Sequence, residues 1–352
     1  MAREEKSVFH KKAAWFGCAA LAATVLIAVA APAGAEDVSF RGRNVRIIHT
    51  GSEGGSYAVY TRIFANHYGR HLPGAPNVIA EFMAGAGGLT GLNYIYNAAP
   101  KDGTALGMPL PAVSIANLLF PKNARFDPTR YTWIGNITQM QTAIGVWHTS
   151  PAKTLEDAKK VELTLGSSGR GSELTLTPML LNAVVGTRFK VVSGYKGVGE
   201  IDLAMERGEV NGRSGGLTSW HPMKPEWFKR PAKVTFLVQL GLTRHPLLPD
   251  VPLATAFGKT DEDRKVIGLL SGSTALTRAV MGPPGMPAAV TAALRKGFDD
   301  TLADPAFIAD MKTHKMDMIA PMHWKEIEAF MADLAATPPG VIKRFQQVLN
   351  VK

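Results

Sequence analysis

Beyond Arg43 the chain alternates short apolar runs with longer stretches in which apolar residues return every three to four positions. Two periods in alternation predict strands followed by amphipathic helices, and hence parallel βαβ units. Asn44–His49 reads as a first strand. Tyr57–His71 reads as a helix with Val59, Ile63, Phe64, His67 and Tyr68 along one side. Asn77–Phe82 is a second strand, Gly88–Ala98 a second helix and Thr104–Met108 a third strand. The series then restarts. Gln141–Trp147, Leu163–Leu165, Phe189–Val192, Val210–Arg213 and Thr235–Leu240 fit strands, with helices at Glu173–Val184 and Val198–Arg207. Thr154 followed by Asp157 marks another helix start. Pro246, Pro249 and Pro252 punctuate the exit from this second series. The remainder is mostly helical: Pro287 and Pro305 suit first helical positions, and Asp304 suits a cap. The pattern therefore predicts two α/β halves and a helical tail, with no repeat of solenoid length.

The first residues follow a different rule. Lys11 and Lys12 precede an apolar run from Ala13 to Ala31, Pro32 breaks it, and Ala33-Gly34-Ala35 offers small residues at a cleavage site. This is the layout of a secretory signal over residues 1–35, cut after Ala35, and it implies a periplasmic location. The competing reading is a permanent anchor, since the run is nearly long enough to span a bilayer. Its alanine content and its small-residue end favour cleavage. The one cysteine, Cys18, lies inside this leader, so the exported chain has no disulfide, no zinc–thiolate site and no cysteine nucleophile. The leader carries four basic and two acidic residues, which lowers the net charge from +10 to +8 beyond it. The remaining basic residues are scattered, without a Lys/Arg tract or interleaved aromatics, so no nucleic-acid partner is expected. The sign suits an acidic small ligand or an anionic membrane surface nearby.

Three loops follow predicted strands, where open α/β sheets hold their ligands. They are Thr50-Gly-Ser-Glu-Gly-Gly-Ser56, Met83-Ala-Gly-Ala-Gly-Gly88 and Gly166-Ser-Ser-Gly-Arg-Gly-Ser172. Each combines glycine with hydroxyls or a bare helix start, and none pairs His with Asp. Such loops can hold a small anion by backbone N–H groups and Ser donors. The bland alternative is three ordinary turns with helix caps. Gly85, Gly87 and Gly88 would let the backbone approach a carboxylate, but Thr90 stands where a dinucleotide fingerprint needs glycine. Arg170 is the candidate charge partner for a carboxylate. Glu53 would repel an acid if it faced the ligand, or favour an amine.

Enzyme signals are few. Gly212-Arg-Ser-Gly-Gly216 matches a nucleophile elbow, and His221, His245, His314 and His323 follow it. A secreted serine hydrolase is the alternative this motif allows, but Gly215-Gly216 makes a poor helix start and no oxyanion segment accompanies it. Gly258-Lys-Thr260 lacks the upstream glycine of a phosphate loop. No HExxH pair and no acidic cluster at calcium-loop spacing is present, so neither a metal nor a cofactor is expected, and no catalytic residue is assigned.

Taken in order, these segments resemble the substrate-binding receptors of tripartite tricarboxylate transporters, the Bug family of periplasmic solute-binding proteins. The residues that carry the resemblance are Gly54-Gly-Ser-Tyr-Ala-Val-Tyr-Thr-Arg62, Gly85–Gly88, Ala98-Ala-Pro-Lys-Asp-Gly-Thr-Ala-Leu106, Ser193-Gly-Tyr-Lys-Gly197, Gly208-Glu-Val210, Pro249-Asp-Val-Pro252 and Gly282-Pro-Pro-Gly-Met-Pro287. The resemblance implies a clamshell of the type II periplasmic class. Lobe I would comprise 36–140 and 247–352, the helical tail included, and lobe II 141–246. It implies a non-enzymatic, monomeric protein that holds a small carboxylate in the interlobe cleft and delivers it to integral-membrane transporter subunits. A receptor presenting its ligand to a sensor is equally compatible. Carried over by position, the ligand-binding candidates are Ser52, Glu53, Gly54, Gly55, Ser56, Gly85, Ala86, Gly87, Gly88, Ser167, Ser168, Arg170, Ser172 and Tyr195. Ala58, Gly215 and Thr175 depart from the acidic residue, the aspartate and the histidine usual in the family at those places.

Overall fold

The computed structural model describes residues 38–51, 53–110, 113–169, 172–220, 224–229 and 231–350. The expected signal segment, and with it the cleavage after Ala35, lies outside them. Eleven strands among the described residues form two sheets.

The first sheet begins with β1 (Asn44–His49), β2 (Asn77–Phe82) and β3 (Ala105–Met108), joined through α1 (Gly55–Tyr68) and α2 (Leu89–Asn97). β1 lies between β2 and β3, parallel to both. Side chains alternate along β1: Val45 and Ile47 enter a core with Phe64, Tyr68 and Phe298, while Ile48 enters the opposite core with Ile95, Trp133 and Met281. This follows from the two-residue period of a strand covered on both faces. After the one-turn helix α3 (Ala116–Leu119), β4 (Thr132–Asn136) extends the same sheet.

The second sheet is built from β5 (Thr142–Trp147), β6 (Leu163–Ser167), β7 (Phe189–Ser193), β8 (Gly212–Arg213) and β9 (Val234–Leu240), with α4 (Glu173–Val184) and α5 (Val198–Glu206) between them. The tail supplies α6 (Asp261–Ala275), β10 (Ala279–Gly282), α7 (Ala288–Ala303), α8 (Pro305–Thr313), β11 (Met322–His323), α9 (Trp324–Ala335) and α10 (Pro339–Val348).

The strand orders are β11-β4-β10-β3-β1-β2 and β7-β6-β8-β5-β9. The two share one plan. In each sheet an antiparallel strand lies beside the three parallel ones: β10 pairs with β3 and β4, and β5 pairs with β8 and β9. Both inserted strands follow a passage of chain from one sheet to the other. Those passages run side by side: Ile137 N donates to Arg278 O at 3.2 Å, and Thr274 Oγ1 to Met140 O at 3.1 Å. The expectation of parallel units is thus met by β1–β3 and β6–β8, while β5, β10 and β11 make both sheets mixed.

Two sequence expectations change. The helix start at Thr154 yields only a 3-10 turn at Asp157–Lys159. Thr154 and Asp157 do make reciprocal bonds of 3.0 and 3.1 Å, but Leu163 already begins β6 four residues after the turn ends. The tail also divides. Helices α7 and α8 add Leu294, Phe298 and Phe307 to one core of the first sheet, and α9 adds Ile327 and Met331 to the other. In contrast, α6 and α10 share a core with the second sheet, where Val266, Ile267 and Phe345 meet Leu163, Leu165 and Leu180. The expectation placed all of 247–352 with the first sheet; an apolar stripe announces that a helix is buried but not against which partner.

Candidate ligand site

The C-terminal ends of β1, β2 and β3 bring the first two glycine-rich loops together. Thr50, just past β1, is the pivot. Its N–H donates to Met108 O at 3.1 Å and its hydroxyl accepts from Leu110 N at 2.8 Å. A β-carbon on Gly88 or Gly91 would lie 3.1 or 2.9 Å from the Thr50 side chain, so small residues there let the second loop close over the first. Gly85, Ala86, Gly87 and Gly88 have φ of 139°, 47°, 66° and 95°. Such a run is a tight turn that glycine permits, and it brings the backbone to the surface with little side chain around it. Gly88 N and Thr90 N donate back to Gly85 O, which closes the turn. Space beside Gly87 is open.

Helix α1 presents the other half of the cradle. Its N-cap is Gly54, which brings no capping side chain, so its first amides have no partner within the helix. Arg62, one of the family-like residues, donates from Nη2 to Glu53 O at 3.0 Å and lies 4.7 Å over the Phe82 ring, tying the first loop to the end of β2. Glu53 and Gly54 are exposed, and Ser56 is half-buried. Ser52 lies outside the described residues, as does Arg170.

The third loop, after β6, is less open than its sequence suggests. Ser167 is buried and its hydroxyl stands 2.6 Å from that of Thr175. Ser172 is the N-cap of α4, accepting from Leu174 N at 3.2 Å. Tyr195 is half-buried against the apolar cluster of α5 and Trp220, and its N–H donates to Ser167 O at 3.3 Å. Of the three serines only Ser168 is exposed.

Three groups that sequence reasoning passed over lie at the head of α1 and α4. Arg278 is 1% exposed and stacks 3.5 Å above the Tyr57 ring. A lone cation inside the apolar run Ala275–Met281 was the available signal of burial. His49 is buried beside Tyr57, with Nδ1 donating to Met108 O at 3.1 Å; burial, helped by Arg278, pushes its pKa down to about 4. Glu173, the first residue of α4, accepts from Gly216 N and from Thr142 Oγ1, each at 3.2 Å. Burial raises its pKa, against the pull of those two donors. Tyr57 is raised by burial as well.

The elbow-like segment does not build a nucleophile. Ser214 is fully buried and its hydroxyl has no hydrogen-bond partner among the described residues. The chain after it bridges to Thr142 and enters a short 3-10 turn at Leu217–Ser219 instead of a helix. Among the described residues no group of three His, Cys, Asp or Glu is placed to hold a metal ion.

Two mixed sheets of matching strand order, with glycine-rich loops at the ends of their parallel strands, define a two-lobed periplasmic solute-binding fold of type II. The comparisons agree. A sequence model described as "Tripartite tricarboxylate transporter family receptor" matches residues 61–346. The chain is 25% identical over 331 residues to the "UPF0065 protein in gbd 5'region" of Cupriavidus necator, covering 92% of this chain and 94% of that one. Its fold matches a ligand-free TctC solute-binding protein from Polaromonas with a TM-score of 0.67 and 17% identity over 89% of this chain and 99% of that one. It also matches MatC from Rhodopseudomonas palustris with bound malate, with a TM-score of 0.59 and 21% identity over 88% and 99% of the two chains. The protein belongs to the tripartite tricarboxylate transporter family receptors. It is a receptor and not an enzyme.

Proposed function

We propose that this receptor captures a small carboxylate between the Gly85–Gly88 turn and the head of α1, with Ser168 and the loop after β6 closing from the other sheet. The observation that carries the reading is the run of four positive φ angles at 85–88 beside the uncapped start of α1. The turn keeps the amides of Ala86 and Gly87 for a ligand, since those of Gly88, Leu89 and Thr90 donate within it, and a relative of the same fold holds malate. The lobes divide at the two side-by-side passages near Met140 and Arg278, and closure about such a double crossing is a hinge motion. The exported chain, cut after Ala35, works as a monomer in the periplasm and hands its ligand to integral-membrane subunits.

A thermal-shift screen of dicarboxylates, tricarboxylates, aromatic acids and amino acids tests the reading. A ligand present at 100 times its dissociation constant adds about 2.7 kcal/mol to stability. Shifts with acids, absent with their neutral amides, are expected. Stabilisation by amines or sugars alone would overturn the assignment.

A further inference from the structure

We propose that Arg278 sets the charge preference of the ligand site, acting from behind the head of α1 through the Ser56 hydroxyl. The inference rests on the reading that a carboxylate binds at that helix end. The guanidinium of Arg278 is 1% exposed and stacks on Tyr57 at 3.5 Å and near Tyr60 at 4.6 Å. Its Nη1 donates to Thr277 Oγ1 at 3.0 Å and its Nη2 approaches Ser56 Oγ at 3.5 Å, while Nε has no partner among the described residues. Among the described residues no carboxylate lies within ion-pair distance of it. The Glu173 carboxylate acts on it only from farther off and is engaged by Gly216 N and Thr142. A buried cation with no carboxylate in direct contact is costly, and an anion arriving nearby recovers part of that cost.

Ser56 connects the two. A hydroxyl that accepts from a guanidinium keeps its own proton free to donate. Ser56 is the second residue of α1, half-buried, beside amides that have no intrahelical partner. A carboxylate seated there meets the helix amides, the helix dipole and a hydroxyl polarised by a positive charge. A site with that charge behind it discriminates a dianion from its singly charged amide, which backbone donors alone do poorly. Arg278 is thus a positioning residue that acts through Ser56.

The test compares affinities for malate, succinate, adipate and citrate with those for succinamate, by calorimetry on the exported chain. The variants are Arg278→Met, Arg278→Lys and Ser56→Ala. The wild type should prefer succinate to succinamate by about tenfold or more, as expected for a charge-assisted bond. Arg278→Met should collapse that ratio toward unity with an unliganded melting point unchanged or raised, and Arg278→Lys should keep it. Ser56→Ala should lower the ratio with Arg278 in place, which keeps the test open if Arg278→Met fails to fold. Equal weakening of both probes in the Arg278 and Ser56 variants would mean a structural role and overturn the proposal. A wild type that binds none of the acids would instead overturn the carboxylate reading itself.

Discussion

The hydroxyls of Ser167, at the end of β6, and Thr175, in the first turn of α4, stand 2.6 Å apart across the loop between them. Thr175 donates to Gly169 O at 2.7 Å, so Ser167 donates to Thr175 and accepts from Gly169 N at 3.2 Å. The ring of bonds is closed, and Ser167 has no proton left for a ligand. Thr175→Val should therefore leave a buried donor and a carbonyl unpaired, and cost about 1–3 kcal/mol in urea unfolding. Ser168→Ala, at an exposed position, should leave stability within about 0.5 kcal/mol and lower ligand affinity. Reversed outcomes for the two variants would place the ligand donor at Ser167.

Gly87 makes a second test, because space beside it is open and its φ is 66°. A β-branched residue is strained there and projects into the space a ligand would fill. Gly87→Val should reduce the melting point modestly and abolish the ligand-induced shift. Full retention of that shift would remove the 85–88 turn from the site.

Acid should weaken the fold through His49. Its folded pKa of about 4 lies below the ordinary histidine value, because burial disfavours the charged ring. The unfolded chain therefore takes up the proton first. Stability from this group is fully present above about pH 6.5 and falls as pH drops toward 4, by about 3 kcal/mol in all. Urea midpoints of the wild type and of His49→Gln, measured from pH 7.5 to pH 4, should converge across that window. Parallel curves would show that His49 does not titrate this way.

Asp202 on α5 and Arg213 on β8 pair at 2.6 Å with 1% and 0% exposure, and Arg213 lies 3.5 Å over the Trp220 ring. The pair anchors the segment that carries Gly216, the donor to Glu173. Removing one partner strands a buried charge, so Asp202→Ala should cost about 3–5 kcal/mol. Asp202→Leu combined with Arg213→Met should cost less than either single change, because both charges leave together. A double-mutant cycle by chemical denaturation measures this coupling.

Local pattern alone determined much of the molecule. The short apolar run within Asn44–His49 marked a strand, and the glycines after Phe82 announced a tight strand-to-helix turn. The repeat of that plan after Gln141, together with ordered family-like segments, marked two α/β halves and a receptor. These features are carried by residues close in sequence, so their physics is readable there.

What the tertiary structure decided involves partners far apart in the chain. Met281 and Gly107 pair across 174 positions to insert β10 beside β3, a match no local signal encodes. The tail helices divide between the sheets because α6 and α10 fit the core around Leu163 and Leu165, whereas α7 fits around Phe64. Ser167, Ser168 and Ser172 read as free donors until folding set Thr175, in the first turn of α4, against Ser167. Arg278 lies 222 residues from Ser56 in sequence and 3.5 Å from it in space. Burial and charge at such a point belong to the packed molecule, since they depend on which distant groups are excluded as much as on those that are near.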